Sequence, residues 1–363
     1  MGRYILRRLL LIVPTLLGII LINFIIVQFA PGGPIEQIIA KATMGQMSTT
    51  SNISGGGDAG MSSQAMEMAA SGQNPATYGL DPELIADLER QFGFDKPVHV
   101  RFFTMVVNYL QFDFGDSYFQ DRPVVELVIE RLPVSISLGL WSLLLIYGIS
   151  VPLGVAKAVR DGQKFDVWTS TVIFVGYAIP GFIFAIMLIV VFAGGNYFDI
   201  FPLRGLTSEN WDELPWYGQV TDYFWHLALP IISLTIGGFA TLTMLTKNSF
   251  LEEISKQFVL TARAKGLTEK RVLYGHVFRN AMLIVIAGFP TAFVGILFTG
   301  SVLIEVIFSL DGIGLLSFEA IVKRDYPILF GTVFVFTLVG LVMHLISDLT
   351  YVLVDPRIDF DTR

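Results

Sequence analysis

Long apolar runs separated by charged or turn-forming stretches dominate the chain. Six of them, at about 9–30, 134–157, 167–193, 227–246, 281–304 and 328–353, reach the roughly 20 residues that a helix needs to cross the hydrocarbon. Spanning strands would be about 10 residues long with strict alternation, whereas these runs are apolar on all sides. A helix also satisfies its backbone polar groups internally, as lipid demands. The pattern predicts an all-α polytopic membrane protein with six transmembrane helices.

Composition agrees. The chain of 363 residues is 53% hydrophobic and 15% charged, with mean hydropathy +0.64, and a soluble fold could not hide that much apolar surface. Cysteine is absent, which excludes a disulfide framework and thiolate metal ligands. No basic domain supports a nucleic-acid partner. Arg3, Arg7 and Arg8 precede the first run, but about 22 apolar residues exceed a signal-peptide core of 7–15, so the run reads as a retained helix.

Charge sets the expected orientation. With the N-terminus inside, 15 of the 24 Lys and Arg fall on short inner segments, seven of them between Lys247 and Arg279. That is the positive-inside pattern, and six spans return the C-terminus to the cytoplasm.

These spans divide the chain into a first helix (1–31), a long outer loop (32–133), a five-helix core (134–353) with an inner loop at 247–280, and a cytoplasmic tail (354–363). Residues 42–77 are Ser, Gly, Ala and Met without period and are expected to be flexible. The stretch 81–132 reads as amphipathic and helical: Asp81 caps a helix opened by Pro82, and Pro123 opens a short one running to Leu132. Its aromatics, Phe102 to Phe119, fit either an interfacial belt or a docking face for an outside partner. A second outer loop, 194–226, carries Trp211, Trp216, Tyr217, Tyr223 and Trp225, which read as interfacial anchors.

The inner loop, KNSFLEEISKQFVLTARAKGLTEKRVLYGHVFRN, reads as two short helices. The first runs from about Ser255 to Lys265, with Phe258, Val259 and Ala262 on one face. Ala262 and Ala264 are small enough for close approach. Gly266 takes the left-handed conformation that ends the helix, acting as the hinge of the elbow, and Thr268 caps the second with Glu269 in its first turn. The loop is a basic elbow projecting into the cytoplasm. Its seven positive charges would also fix topology with no further role.

Other chemistry is sparse. No Gly-Lys dipeptide exists, so a P-loop is absent. An ion-coupled secondary transporter would want ionisable groups near the midplane. Glu305 sits at the outer end of the fifth span, Asp348 near the inner end of the sixth, and His344 reads as a packing histidine. His276 and His344 fit no His-Glu-x-x-His enzyme motif. Asn23, Gln28, Ser135, Ser137, Thr169, Ser170, Thr171, Thr235, Thr241, Thr291 and Thr299 are pore-facing candidates by type, and helix–helix contacts explain most small polar residues in lipid.

TARAKGL followed by RNAM resembles the EAA-type loop of ABC importer permeases of the oligopeptide/dipeptide class. RYILRRLLLIVPTLLGI, FAPGGP, GFDKPVHVRF, FDFGDS, RPVVELVIERLPVSISLGL, TGSVLIEVIFSLDGIGLLSFEAIVKRDYPI and DLTYVLVDPRID resemble further stretches of that class. The nearest likeness is to its Yej-type members, associated with peptide and microcin C uptake, which also have an enlarged first outer loop. The likeness covers the chain except about 37–77. One position departs: the family loop usually ends in Leu-Pro, where this chain has Leu283-Ile284, leaving Pro290 to supply a bend. The resemblance implies a type I importer permease fold in the bacterial inner membrane. It assigns ATPase coupling to Phe258, Thr261, Ala262, Arg263, Ala264, Lys265, Gly266 and Leu267. It also implies a homologous second permease, two ATPase subunits or one fused ATPase, and a periplasmic solute-binding protein. ATP and Mg would bind the ATPase, with no cofactor on this chain. The cargo would be peptides.

Overall fold

The computed structural model describes residues 2–29, 96–195, 197–295 and 302–354. The flexible stretch expected at 42–77, the helix expected from Asp81 and the tail beyond 354 lie outside these. The described residues are helical apart from turns and one isolated bridge. Five helices are long and apolar enough to cross a membrane, and a bent pair makes a sixth crossing if taken as one span.

The first is α1 (Gly2–Phe29), followed by a shorter α2 (Val98–Leu110). Helix α3 (Val124–Val159) opens just after Pro123 as expected but does not stop at Leu132. Pro133 and Pro152 lie within its 36 residues, so the short outer helix and the second span are one element.

The expected third span is broken. Helices α4 (Lys164–Ala178) and α5 (Gly181–Phe192) meet at 92°. The cause is local: Pro180 forces Ile179 out of the helical region, to φ −86 and ψ 118, and cannot donate to the helix that precedes it.

Helix α6 (Trp216–Ile254) is longer than the fourth apolar run at both ends. Trp216, Tyr217, Tyr223 and Trp225 therefore stand on a helix and not in a loop. After the elbow come α9 (Phe278–Ala287) and α10 (Phe289–Gly295), separated at Gly288 beside Pro290, while Leu283-Ile284 is uninterrupted helix. Three further helices follow: α11 (Val302–Phe308), α12 (Ile313–Lys323) and α13 (Tyr326–Val354).

The chain divides into two compact units. In the larger, α3 and α6 cross at van der Waals range. Gly238 faces Ile146, the Ser150 hydroxyl donates to the Phe239 carbonyl at 3.2 Å, and Gly154 fits against Thr243 and Thr246. A Cβ on Gly154 would lie 2.6 Å from the Thr246 Cβ, so only glycine permits this approach. The pairings advance together along both chains, so the two helices are parallel, as even-numbered spans must be. At one end of this pair Leu138, Ala185, Leu227, Leu229, Ile304 and Phe308 form a buried cluster; at the other lies the cluster that seats the elbow.

Also in the larger unit, Asp348 accepts a hydrogen bond from the Tyr4 hydroxyl at 2.9 Å and pairs with Arg8 at 3.0 Å. The start of α1 and the end of α13 thus share one end of the unit. His344 is exposed and does not pack as expected.

In the smaller unit, Tyr109, Phe114 and Phe334 pack edge-on or tilted with ring centroids 5.0–5.6 Å apart. Gly331 lies against Phe114 and Val124. Asp325 is buried and accepts a hydrogen bond from the Ser117 hydroxyl at 2.6 Å. Part of the aromatic series expected at the interface is thus core, whereas Phe103 and Phe112 remain exposed.

Candidate functional site: the elbow after the fourth span

The elbow is built from α7 (Gln257–Ala264), a turn at Lys265–Thr268, α8 (Glu269–Val272) and one π-helical turn, Leu273–Val277, that runs into α9. Its first helix starts two residues later than expected, because Ser255 still caps α6.

The turn closes as a Schellman motif. Gly266 has φ +78. Its N–H donates to the Arg263 carbonyl at 2.9 Å, and the Leu267 N–H donates to the Ala262 carbonyl at 3.3 Å. Those bonds satisfy carbonyls that the helix end would otherwise leave orphaned. Thr268 occupies the N-cap position of α8 with extended backbone, but its side chain makes no capping bond.

One face of the elbow is anchored. Val259, Ala262, Val272 and Val277 are buried with Val155 and Ala158 of α3 and Leu242 and Phe250 of α6, and Phe258 and Leu267 pack against the same cluster. Burying a Val or Leu side chain is worth about 1.5–3 kcal/mol, so several such anchors hold the elbow to the helix ends as one piece. The Tyr147 hydroxyl on α3 donates to the Val285 carbonyl at 3.2 Å, and the Ser249 hydroxyl on α6 to the Ala281 carbonyl at 2.7 Å. Both bonds lock the emerging helix α9.

The opposite face is free of the chain's own core. Thr261, Arg263, Ala264, Lys265 and Gly266 are exposed. The Arg263 guanidinium spans the turn to Glu269 with two contacts, 2.9 and 3.0 Å. Both groups are solvated, so the pair contributes only about 0.2–1 kcal/mol. Lys256, at the entry to α7, pairs with Glu253, whose hydrogen bond raises its ammonium above the ordinary value.

The eight predicted residues therefore split. Phe258, Ala262 and Leu267 anchor the elbow, and Thr261, Arg263, Ala264, Lys265 and Gly266 present it. Ala262 is buried in the seat, whereas Ala264 is exposed. Sequence reasoning missed Leu260, an apolar side chain that is 57% exposed on the presented face. Its signal was there: it lies one position off the Val259/Ala262 stripe and four before Ala264.

The other candidates are dispersed. His276 is exposed in the π-helical turn. Glu305 is fully buried on α11, where Oε1 accepts from the Ser135 hydroxyl and Oε2 from the Leu315 N–H, both at 2.9 Å. Ser135 also accepts from the Ile313 N–H. Glu305 thus closes the start of α12, a use of a carboxylate that helix N-termini favour.

Comparisons with known proteins place the chain in a family. The chain is 60% identical to the peptidoglycan transport system permease protein YejB of Agrobacterium fabrum, each over its whole length. It is 57% identical, again end to end, to the inner membrane ABC transporter permease protein YejB of Escherichia coli O157:H7. Identity to the oligopeptide transport system permease protein AppB of Bacillus subtilis is 33%, covering 99% of this chain and all of that one. The fold matches a chain of the inward-facing MetNI methionine ABC transporter, with TM-score 0.50 at 16% identity, over 63% of this chain and 97% of that one. Residues 150–360, which contain the elbow, match the family described as binding-protein-dependent transport system inner membrane component. The chain belongs to that family: it is a multi-pass inner membrane permease subunit of an ABC importer, with the type I permease fold.

Proposed function

We propose that this subunit forms half of the channel of an importer for oligopeptides or peptide-like compounds such as microcin C. In this reading the elbow between Gln257 and Val277 receives motion from a cytoplasmic ATPase. The observation that carries the coupling role is the elbow's two-sidedness. A buried apolar face fastens it to α3 and α6, and an exposed face of Leu260, Thr261, Ala264 and Lys265 is left for a partner. A part fixed to two spans by packing transmits displacement, where a mobile loop would absorb it.

The cargo class rests on the relatives. One is named for peptidoglycan transport and another for oligopeptide transport, and both cargoes carry peptide chains. The assembly would hold this chain, a homologous second permease, two ATPase subunits or one fused ATPase, and a periplasmic solute-binding protein. ATP and Mg are bound by the ATPase. Both termini of this chain lie in the cytoplasm.

Affinity purification of the tagged chain from its own membrane tests the reading. Recovery of an ATPase subunit is expected, with exchange of Leu260 and Ala264 for Asp abolishing that recovery while the permease stays inserted. A chain that retains no ATPase, or retains it equally well with the altered face, refutes the proposal.

A further inference from the structure

Two lysines and two aspartates meet where α3, α4 and α6 converge beside the elbow's seat. Lys157 is fully buried on α3, one residue before Ala158 of the seat. Its ammonium donates to the Asp166 carbonyl, the Thr169 hydroxyl and the Ser170 hydroxyl at 2.7–2.9 Å. All three acceptors belong to α4, so all three of its protons are used. The Asp166 carboxylate stands 3.0 Å from the same nitrogen through Oδ1. Its Oδ2 accepts from the Gly162 N–H at 3.1 Å and from Lys247 of α6 at 2.7 Å. Lys247 lies three residues before Phe250 of the seat, and its nitrogen also reaches Asp161 at 2.8 Å.

The two lysines are held differently. Lys157 joins α3 to α4 by several buried bonds, and breaking them would leave a cation stranded away from water, a costly state. Lys247 joins α6 to α4 through Asp166 alone, and its second carboxylate, Asp161, is half exposed. If α6 shifts, Lys247 keeps Asp161 while Asp166 keeps Lys157 and the Gly162 N–H. No buried charge is orphaned by that release.

We propose that Asp166 is a positioning residue for transport. It ties the broken span α4–α5 to the helices that carry the elbow, with Lys247 as the releasable side of the tie. The inference rests on the reading of the elbow as the ATPase contact. Displacement of the elbow moves the ends of α3 and α6, and the tie passes that displacement to α4, whose far end is the 92° break at Ile179–Pro180. Without the tie, the ATPase still docks and turns over, but the spans do not follow.

The test uses the whole transporter, reconstituted in liposomes with its binding protein. Tritiated tri-alanine serves as the transport probe, and phosphate release and ATPase retention are read in parallel. Asp166→Asn and Lys247→Met should each lower uptake about tenfold, within the usual range of coupling effects, while the ATPase remains bound and hydrolysis continues. Lys247→Arg should restore uptake. Unchanged uptake by an intact Asp166→Asn or Lys247→Met complex overturns the proposal. So does a parallel loss of uptake, hydrolysis and complex that Lys247→Arg shares, since that pattern marks a merely structural cluster. Failure of the unaltered chain to retain an ATPase overturns the underlying reading instead.

Discussion

Substituting Gly266 separates the conformation of the elbow from its packing. The residue sits at φ +78 with no atom within 4 Å of where a Cβ would stand. Alanine therefore meets no clash in this chain and bears only the left-handed penalty, about 1–2 kcal/mol, while asparagine tolerates that conformation better. Proline is different in kind. Its ring fixes φ near −65°, the wrong sign, and it removes the N–H that donates to the Arg263 carbonyl at 2.9 Å. The Leu267 N–H would then leave the Ala262 carbonyl, and Leu267 would leave the apolar seat. Loss of two bonds at about 1 kcal/mol each and of one leucine contact at about 1.5–3 kcal/mol exceeds the alanine penalty. The expected order of peptide uptake is glycine, asparagine, alanine, then proline, with alanine retaining measurable transport and proline none. The assay is uptake by membranes holding equal amounts of each variant, alongside hydrolysis by the retained ATPase. Alanine as damaging as proline would refute the conformational reasoning and place a partner's surface against the Cβ. A silent proline would refute the elbow's rigidity altogether.

Gly312→Ala should lower the thermal stability of the detergent-solubilised permease, because the new Cβ would stand 2.5 Å from the Glu305 carboxyl and 2.7 Å from the Ser135 hydroxyl. Overpacking of this kind costs about 1–3 kcal/mol, and an unchanged melting temperature would show that α11 and α12 are not held as described. Asp348→Asn weakens its contacts with Arg8 and Tyr4, but Arg8 is half exposed. The loss should therefore stay within about 1 kcal/mol, and a collapse in expression would contradict that estimate. A periplasm-active reporter fused near Gly205 should be active and one fused near Lys265 silent; the reverse pattern would invert the orientation drawn from the Lys and Arg distribution.

How much of this was legible in the sequence depends on whether the cause is local. The spans were, because lipid imposes length and apolarity on every crossing segment. The Gly266 turn was too, since a left-handed helix end selects for glycine within four residues of chain. The break at Pro180 was local as well, yet a count of apolar residues runs straight across Ile179-Pro180 and reports one span. The early start of α6 was hidden differently: Trp216, Tyr217 and Tyr223 read as interfacial anchors whether they stand on a loop or on the first turns of a helix.

The Lys157, Asp166 and Lys247 cluster was not legible at all. Its members come from three helices, and Lys157 and Lys247 entered the sequence argument only as topology-setting charges. That role and the structural one are compatible, because a lysine at the inner end of a span is solvated unless a neighbouring helix supplies acceptors. Here α4 supplies them to Lys157 three times over, and only two aspartates hold Lys247. Charges counted as equal along the chain thus become unequal once α4 folds back at Gly162. The cation with fewer acceptors is the one on α6, the helix that runs on into the elbow, so a displacement of the elbow reaches it along its own helix.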